Sequence, residues 1–157
     1  FPEIQKRFLE AGVVLVVLPH LPGSKINGAT KRVDGKVMIM VDDRGKYADT
    51  FWFTLFHEIG HVMNGDFGVS FYTEVEDETE LAADEYAQNT LIPSEKYSEF
   101  VQTGEAYTAE SIRQFAVSID RDPGIVLGRL KRDEYVPYAE TELSHELRHK
   151  YKVKMNK

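Results

Sequence analysis

The chain has 157 residues, 42% of them hydrophobic, and a formal net charge of −7. That length suits one domain, residues 1–157, with a moderate core, and the acidity argues against broad nucleic-acid binding, which needs concentrated lysine and arginine. There is no cysteine, hence no disulfide framework, as suits a cytoplasmic protein, and no apolar run of the roughly 18 residues that a membrane span requires.

Pro2 to Glu10 reads as a short opening helix. Gly12 to Leu18 is a continuous valine-rich run, which predicts a buried strand. His20, between Pro19 and Pro22, reads as a surface loop residue. Residues 26–33 and 36–42 predict a hairpin turning at Asp34-Gly35. Tyr47 to Asn64 is a long apolar helix stopped at Asn64-Gly65, and residues 67–73 read as a short extended stretch. The run 74–93 becomes helical in its second half: acids crowd its start, where the helix dipole favours them, and Pro93 closes it. Ser94 caps a short helix, and Thr108-x-x-Ser111 opens the next. Residues 111–132 read as helix, a turn at Asp120-Arg121-Asp122, and helix. The tail is a charged amphipathic helix with a solvated, lysine-rich end. The class predicted is α+β, a small twisted sheet packed on helices, one of which carries the motif below.

That motif is His57-Glu58-Ile59-Gly60-His61, inside the apolar stretch 51–66. Four residues turn a helix about 40° beyond one full turn, so both imidazoles leave the same face. Two nitrogens stacked in this way suit a zinc ion, and Glu58 points to where a water carried by that ion would lie. Residues 52, 56, 59 and 63 form an apolar stripe that Phe51, Leu55 and Val62 widen, so the helix is expected to be buried. The alternative is a pair of core histidines bonded to backbone.

A zinc peptidase needs a third protein ligand and an open fourth position. With no cysteine in the chain, that ligand must be His, Asp or Glu. On the acidic helix Glu80, Ala83, Asp84, Ala87 and Leu91 share one face, and the alanines let a second helix come close. Glu80 is the candidate ligand. Asp84, one turn on, can accept the outer N–H of a ligating histidine and fix its tautomer. Glu85 is the rival, about 140° around the helix from Glu80. Glu76, Asp77 and Glu78 read as a solvated acidic face.

The sequence HEIGH, the later ExxAD and its continuation EYAQNTLIP resemble the ImmA/IrrE family of metallopeptidases, within the gluzincin-type zincins. Residues 12–43 are similar to that family's strand-rich start, and residues 111–136 to its closing helix pair. The resemblance implies a zincin-like fold, zinc held by His57, His61 and Glu80, and Glu58 as the catalytic base. Asp84 stands where relatives carry Asn or Asp. It further implies a protein or peptide substrate such as a repressor, and a place in stress-response, mobile-element or toxin–antitoxin regulation. Contact with DNA would come only through a helix-turn-helix domain preceding Phe1.

A second HExxH, His145 to His149, competes for the role. No acid follows it to serve as a later carboxylate ligand, Arg148 adds positive charge beside the supposed cation, and it lacks the glycine of the first motif. It reads as an ordinary amphipathic helix, with a lesser reading in which His145 or His149 approaches the zinc site as an oxyanion donor. Residues 108–136 invite a DNA-binding reading, but they hold five Lys/Arg against five Asp/Glu. Their apolar positions suffice for a packed helix pair.

Two functions follow. The first is a zinc-dependent endopeptidase in which Glu58 takes a proton from water and returns it to the leaving amine, with the peptide paired to an edge strand, 36–42 or 67–73. The second is a regulator or antitoxin module that keeps the fold for binding or sensing.

Overall fold

The computed structural model describes residues 1–71, 77–104 and 106–151. In chain order the elements are α1 (Pro2–Glu10), β1 (Val13–Leu18), β2 (Ile26–Val33), β3 (Lys36–Asp42), α2 (Ala48–Asn64) and β4 (Val69–Phe71). Helices α3 (Glu78–Leu91), α4 (Ser94–Gln102), α5 (Ala109–Ser118), α6 (Pro123–Arg132) and α7 (Glu142–Leu147) complete the chain. This is the α+β architecture expected. Residues 74–76 of the acidic run, the far end of the 67–73 stretch and the lysine-rich tail from 152 lie outside the described residues.

The strands form one sheet in the order β1-β3-β2-β4. Asp34 and Gly35 both take positive φ, at 49° and 76°, and turn the β2–β3 hairpin, which pairs Val33 with Lys36. β1 lies parallel to β3, with Leu15 opposite Ile39. Two expectations are corrected here. The apolar run from Gly12 to Leu18 does form a strand, β1, but not a buried one: it lies at the sheet's edge, and only Leu15 in it is buried. Strand 36–42 is not an edge, because β1 and β2 flank it and occupy both sides of its backbone. An apolar run cannot distinguish an edge covered by helices from a central strand. β1 is of the covered kind, since Ile4 and Phe8 of α1 pack beneath the same cluster as Leu15, Ile39 and Val41.

α2 lies between this sheet and the other helices, so it is apolar on two sides. Phe51 and Leu55 enter the sheet-side core, whereas Phe53 and Phe56 pack on the cluster built by Ile112, Val126, Leu127 and Leu130. The expected stripe ends early, since Met63 is 67% exposed one turn beyond the last packed layer. α2 ends at Gly65 in the left-handed conformation, φ 80°, as the Asn-Gly signal implies. Asp77 is exposed, as a solvated acidic residue should be, and it also caps α3, accepting the backbone N–H groups of Thr79 and Glu80. Ser94 is the first residue of α4 and caps nothing with its side chain; Pro93 takes the cap position. Residues 109–132 form the expected helix pair, with Thr108 and Ser111 in a reciprocal capping box. Two of their basic residues are held by other elements: Arg132 pairs with Asp84, and Lys131, only 4% exposed, donates to the Tyr138 and Glu140 carbonyls and to Ser144.

Candidate metal centre

α2 and α3 cross at close range, and glycine makes that approach possible. A Cβ on Gly60 would lie 2.9 Å from the Ala83 Cα and 3.2 Å from the Tyr86 Cβ. Ala83 and Ala87 are fully buried on the facing side. The small residues therefore set the interhelical distance, which places the Glu80 carboxylate over the two histidines.

His57 Nε2 lies 3.0 Å from His61 Nε2 and 3.2 Å from a Glu80 oxygen, and His61 Nε2 lies 3.4 Å from the other Glu80 oxygen. One ligand atom from each of the three residues falls within 4.8 Å of the others. The Asp84 carboxylate, 2.7 Å from His57 Nδ1, can only accept. Nδ1 therefore carries the proton and leaves the Nε2 lone pair for the cluster. With the His61 Nε2 lone pair turned to the same place, two imidazole nitrogens and a carboxylate would converge on one point, an arrangement that a cation between them stabilises. Glu85, the rival ligand, is exposed.

The electrostatics agree with that reading. Burial works to lower the His57 imidazole, but the hydrogen bond and charge of Asp84, with Glu58 and Glu80 behind them, hold it above its ordinary value. Burial and the neighbouring His57 lower His61. Glu58 is completely buried, and neither of its carboxylate oxygens has a hydrogen-bond partner among the described residues. Burial pushes it from 4.5 up to about 7, against smaller lowering contributions from the Ser70 hydroxyl, which is close by but out of hydrogen-bonding geometry, and from His57. An unpartnered buried carboxylate costs stability, and the fold makes room for it. A Cβ on Gly28 of β2 would stand 2.2 Å from a Glu58 oxygen. These features are what a divalent cation with a water beside Glu58 requires: two neutral imidazoles, an anionic third donor and an acceptor aimed at the centre.

The centre opens into a cleft of about 420 Å³. His57, Phe53, Thr50 and Asp49 of α2 form one wall and Ile125, Gly128, Arg129 and Arg132 of α6 the other, with Ser70 of β4 beside the histidine end. Asp49 is tied to Arg148 through both carboxylate oxygens, at 3.1 and 3.0 Å from Nε and 2.7 Å from Nη2. Arg148 belongs to the second HExxH, and its contact explains that motif. α7 is only six residues long and ends at Leu147, so His149 lies past the helix. His145 and His149 are exposed, and His149 approaches Asp122 at 3.3 Å rather than the metal cluster. Neither ring reaches the centre, which removes the oxyanion role considered for them. Leu147 is buried in the helical core, Arg148 fixes the start of α2, and the His149 carbonyl accepts the Ala48 N–H there, so the motif contributes to the fold.

Arg132 and Ser70 carried no signal in the sequence reading. Arg132 stood within a charge-balanced helix pair, and Ser70 in a short stretch with no chemistry of its own. No helix among the described residues is long and apolar enough to cross a membrane. No curated protein matches the chain. Residues 11–120, which hold the three clustered donors, Glu58 and Asp84, match the model of a peptidase family described as the IrrE N-terminal-like domain.

Proposed function

The chain belongs to the IrrE N-terminal-like peptidase family, and on that premise we propose that it is a zinc-dependent endopeptidase. Residues 1–157 act as one zincin-like domain, with His57, His61 and Glu80 as ligands, Glu58 as the base and Asp84 holding His57. The observation that carries this reading is the convergence of the three donors beside a buried, unpartnered Glu58.

A zinc ion held there would supply Lewis acidity, polarising a carbonyl and easing the loss of a proton from water. Glu58 accepts that proton and delivers it to the leaving amine nitrogen. Asp84 keeps the His57 ring in one tautomer and one orientation. The substrate is a protein segment in extended form. Among the described residues β4 pairs with β2 on one side only, so its other edge, beside the cleft that Ser70 lines, is the place for it; strand 36–42, enclosed by its neighbours, is not. A cytoplasmic regulatory protein such as a repressor is the proposed substrate, with any DNA contact made by another domain.

Glu58→Gln tests the assignment. The variant should keep its zinc and lose cleavage of the regulatory protein by a factor of at least ~100. Cleavage at the unmodified rate would refute the role of Glu58, and a native protein that takes up no zinc would refute the enzyme.

A further inference from the structure

The family match ends at residue 120, yet one wall of the cleft is α6, residues 123–132. From that wall Arg132 reaches the metal cluster indirectly. Its Nη2 donates to Asp84 Oδ2, while Asp84 Oδ1 accepts from His57 Nδ1 at 2.7 Å. The guanidinium also lies over the Phe53 ring, 4.5 Å from its centroid, and that ring packs 6.4 Å from the His57 ring. Arg132 thus touches His57 by two routes, one through a carboxylate and one through an aromatic face.

We infer that Arg132 is a positioning residue for the metal ligand His57, acting through Asp84. This rests on the proposed role of His57 as a ligand. A carboxylate that serves a single imidazole can turn about its last torsion and offer either oxygen, or exchange its partner for water. With Oδ2 held by Arg132, only Oδ1 is left for Nδ1, and the ring angle that aims Nε2 at the metal is fixed. Stacking on Phe53 limits the guanidinium to one plane, so the clamp is defined in direction as well as distance. The side chain is 34% exposed, on the cleft wall rather than in the core, so its replacement leaves the packing of α6 through its own Leu127 and Leu130 in place. Ligand geometry on α2 is therefore set partly by a helix outside the matched region.

The test is zinc affinity measured by competition with a chromophoric chelator, in the full chain, for Arg132→Met, Asp84→Ala and the double variant. Arg132→Met should weaken zinc about 10-fold, the lower end of the loss typical when a group supporting a ligand is removed. In the Asp84→Ala background the same change should shift affinity less than about two-fold, because the route is already cut. Arg132→Lys, which keeps the charge and one donor but not the planar fork, should recover part of the loss. Equal losses in the two backgrounds would show that Arg132 merely stabilises the fold, and unchanged or tighter binding in Arg132→Met would also overturn the inference. Should Arg132→Met unfold, Arg132→Lys decides alone: affinity equal to that of the native chain refutes the clamp. A native chain that binds no zinc removes the proposed function itself, a result distinct from each of these.

Discussion

Residues 57–61 and 145–149 carry the same HExxH spacing and have opposite fates. The first lies in the middle of a 17-residue helix, between a sheet and a helical layer, with Gly60 admitting α3 to within contact. The second begins in a helix of six residues and runs past its end, so its two histidines do not share a helical face. His57 and His61 meet Glu80; His145 and His149 are exposed, and His149 faces Asp122 instead. Ligand spacing is therefore only a local condition. It becomes a metal site when the helix continues through both histidines and a neighbouring element brings a third donor to a buried place.

The sharpest test of the contrast is the third donor. Glu80→Gln should lower zinc affinity by orders of magnitude, whereas the exposed Glu85→Gln, only five residues along the same helix, should leave it unchanged within about two-fold. Zinc titration of the two variants measures both, and metal lost from Glu85→Gln but kept in Glu80→Gln would reverse the helix register.

The second motif should matter to the fold and not to the metal. Arg148→Met leaves the 8%-exposed Asp49 without its partner, which typically costs about 3–5 kcal/mol when one member of a buried pair is removed. Thermal melting should show a large drop in Tm while zinc bound per folded chain stays the same. Loss of zinc with unchanged stability would return the second motif to the list of metal sites.

The close helix crossing comes next. Gly60→Leu drives a side chain into the Ala83 backbone, which cannot give way as a flexible side chain would. Forcing α3 off α2 should cost about 3 kcal/mol and weaken zinc together with stability, since Glu80 moves with α3. A variant that melts normally and binds zinc normally would show that Gly60 has no such spacing role.

How much of this was legible beforehand follows the range of each contact along the chain. The pairing of His57 with His61, and of Glu80 with Asp84, is helix arithmetic over four residues, and the Asp34-Gly35 turn is as local. The helix breaks at Asn64-Gly65 and Pro93 were legible for the same reason. The neighbours of a strand are not, because β1 meets β3 across a gap of 24 residues, as in Val13 with Val37, and nothing in either strand announces which edge is covered. Arg132 meets Asp84 over 48 residues and Arg148 meets Asp49 over 99, so neither partner was legible from the local sequence. The capping role of Asp77 was missed for a different reason. The D-x-x-E spacing to Glu80 is a recognised helix-start signature, but the surrounding run of acids masked it.

The smallest predicted effect concerns the tension at Glu58. Its folded value of about 7 lies above the ordinary 4.5, so the folded state keeps the proton over that window while the unfolded chain releases it. In metal-free protein the group is harmless below about pH 4.5, and stability is lost as pH rises through 7. Glu58→Gln should therefore be neutral at pH 4.5 and should stabilise the metal-free chain at pH 8 by on the order of 2 kcal/mol. Denaturant melts at the two pH values measure it; a gain of equal size at both would mean that packing, not ionisation, is responsible.

The central claim, that one HExxH and not the other holds the metal, is tested most directly by zinc content. The native chain should carry one zinc per molecule. His57→Ala or His61→Ala should carry none, and the double variant His145→Ala/His149→Ala should still carry one. Zinc retained without His57, zinc lost from the double variant, or two equivalents in the native chain would contradict the account.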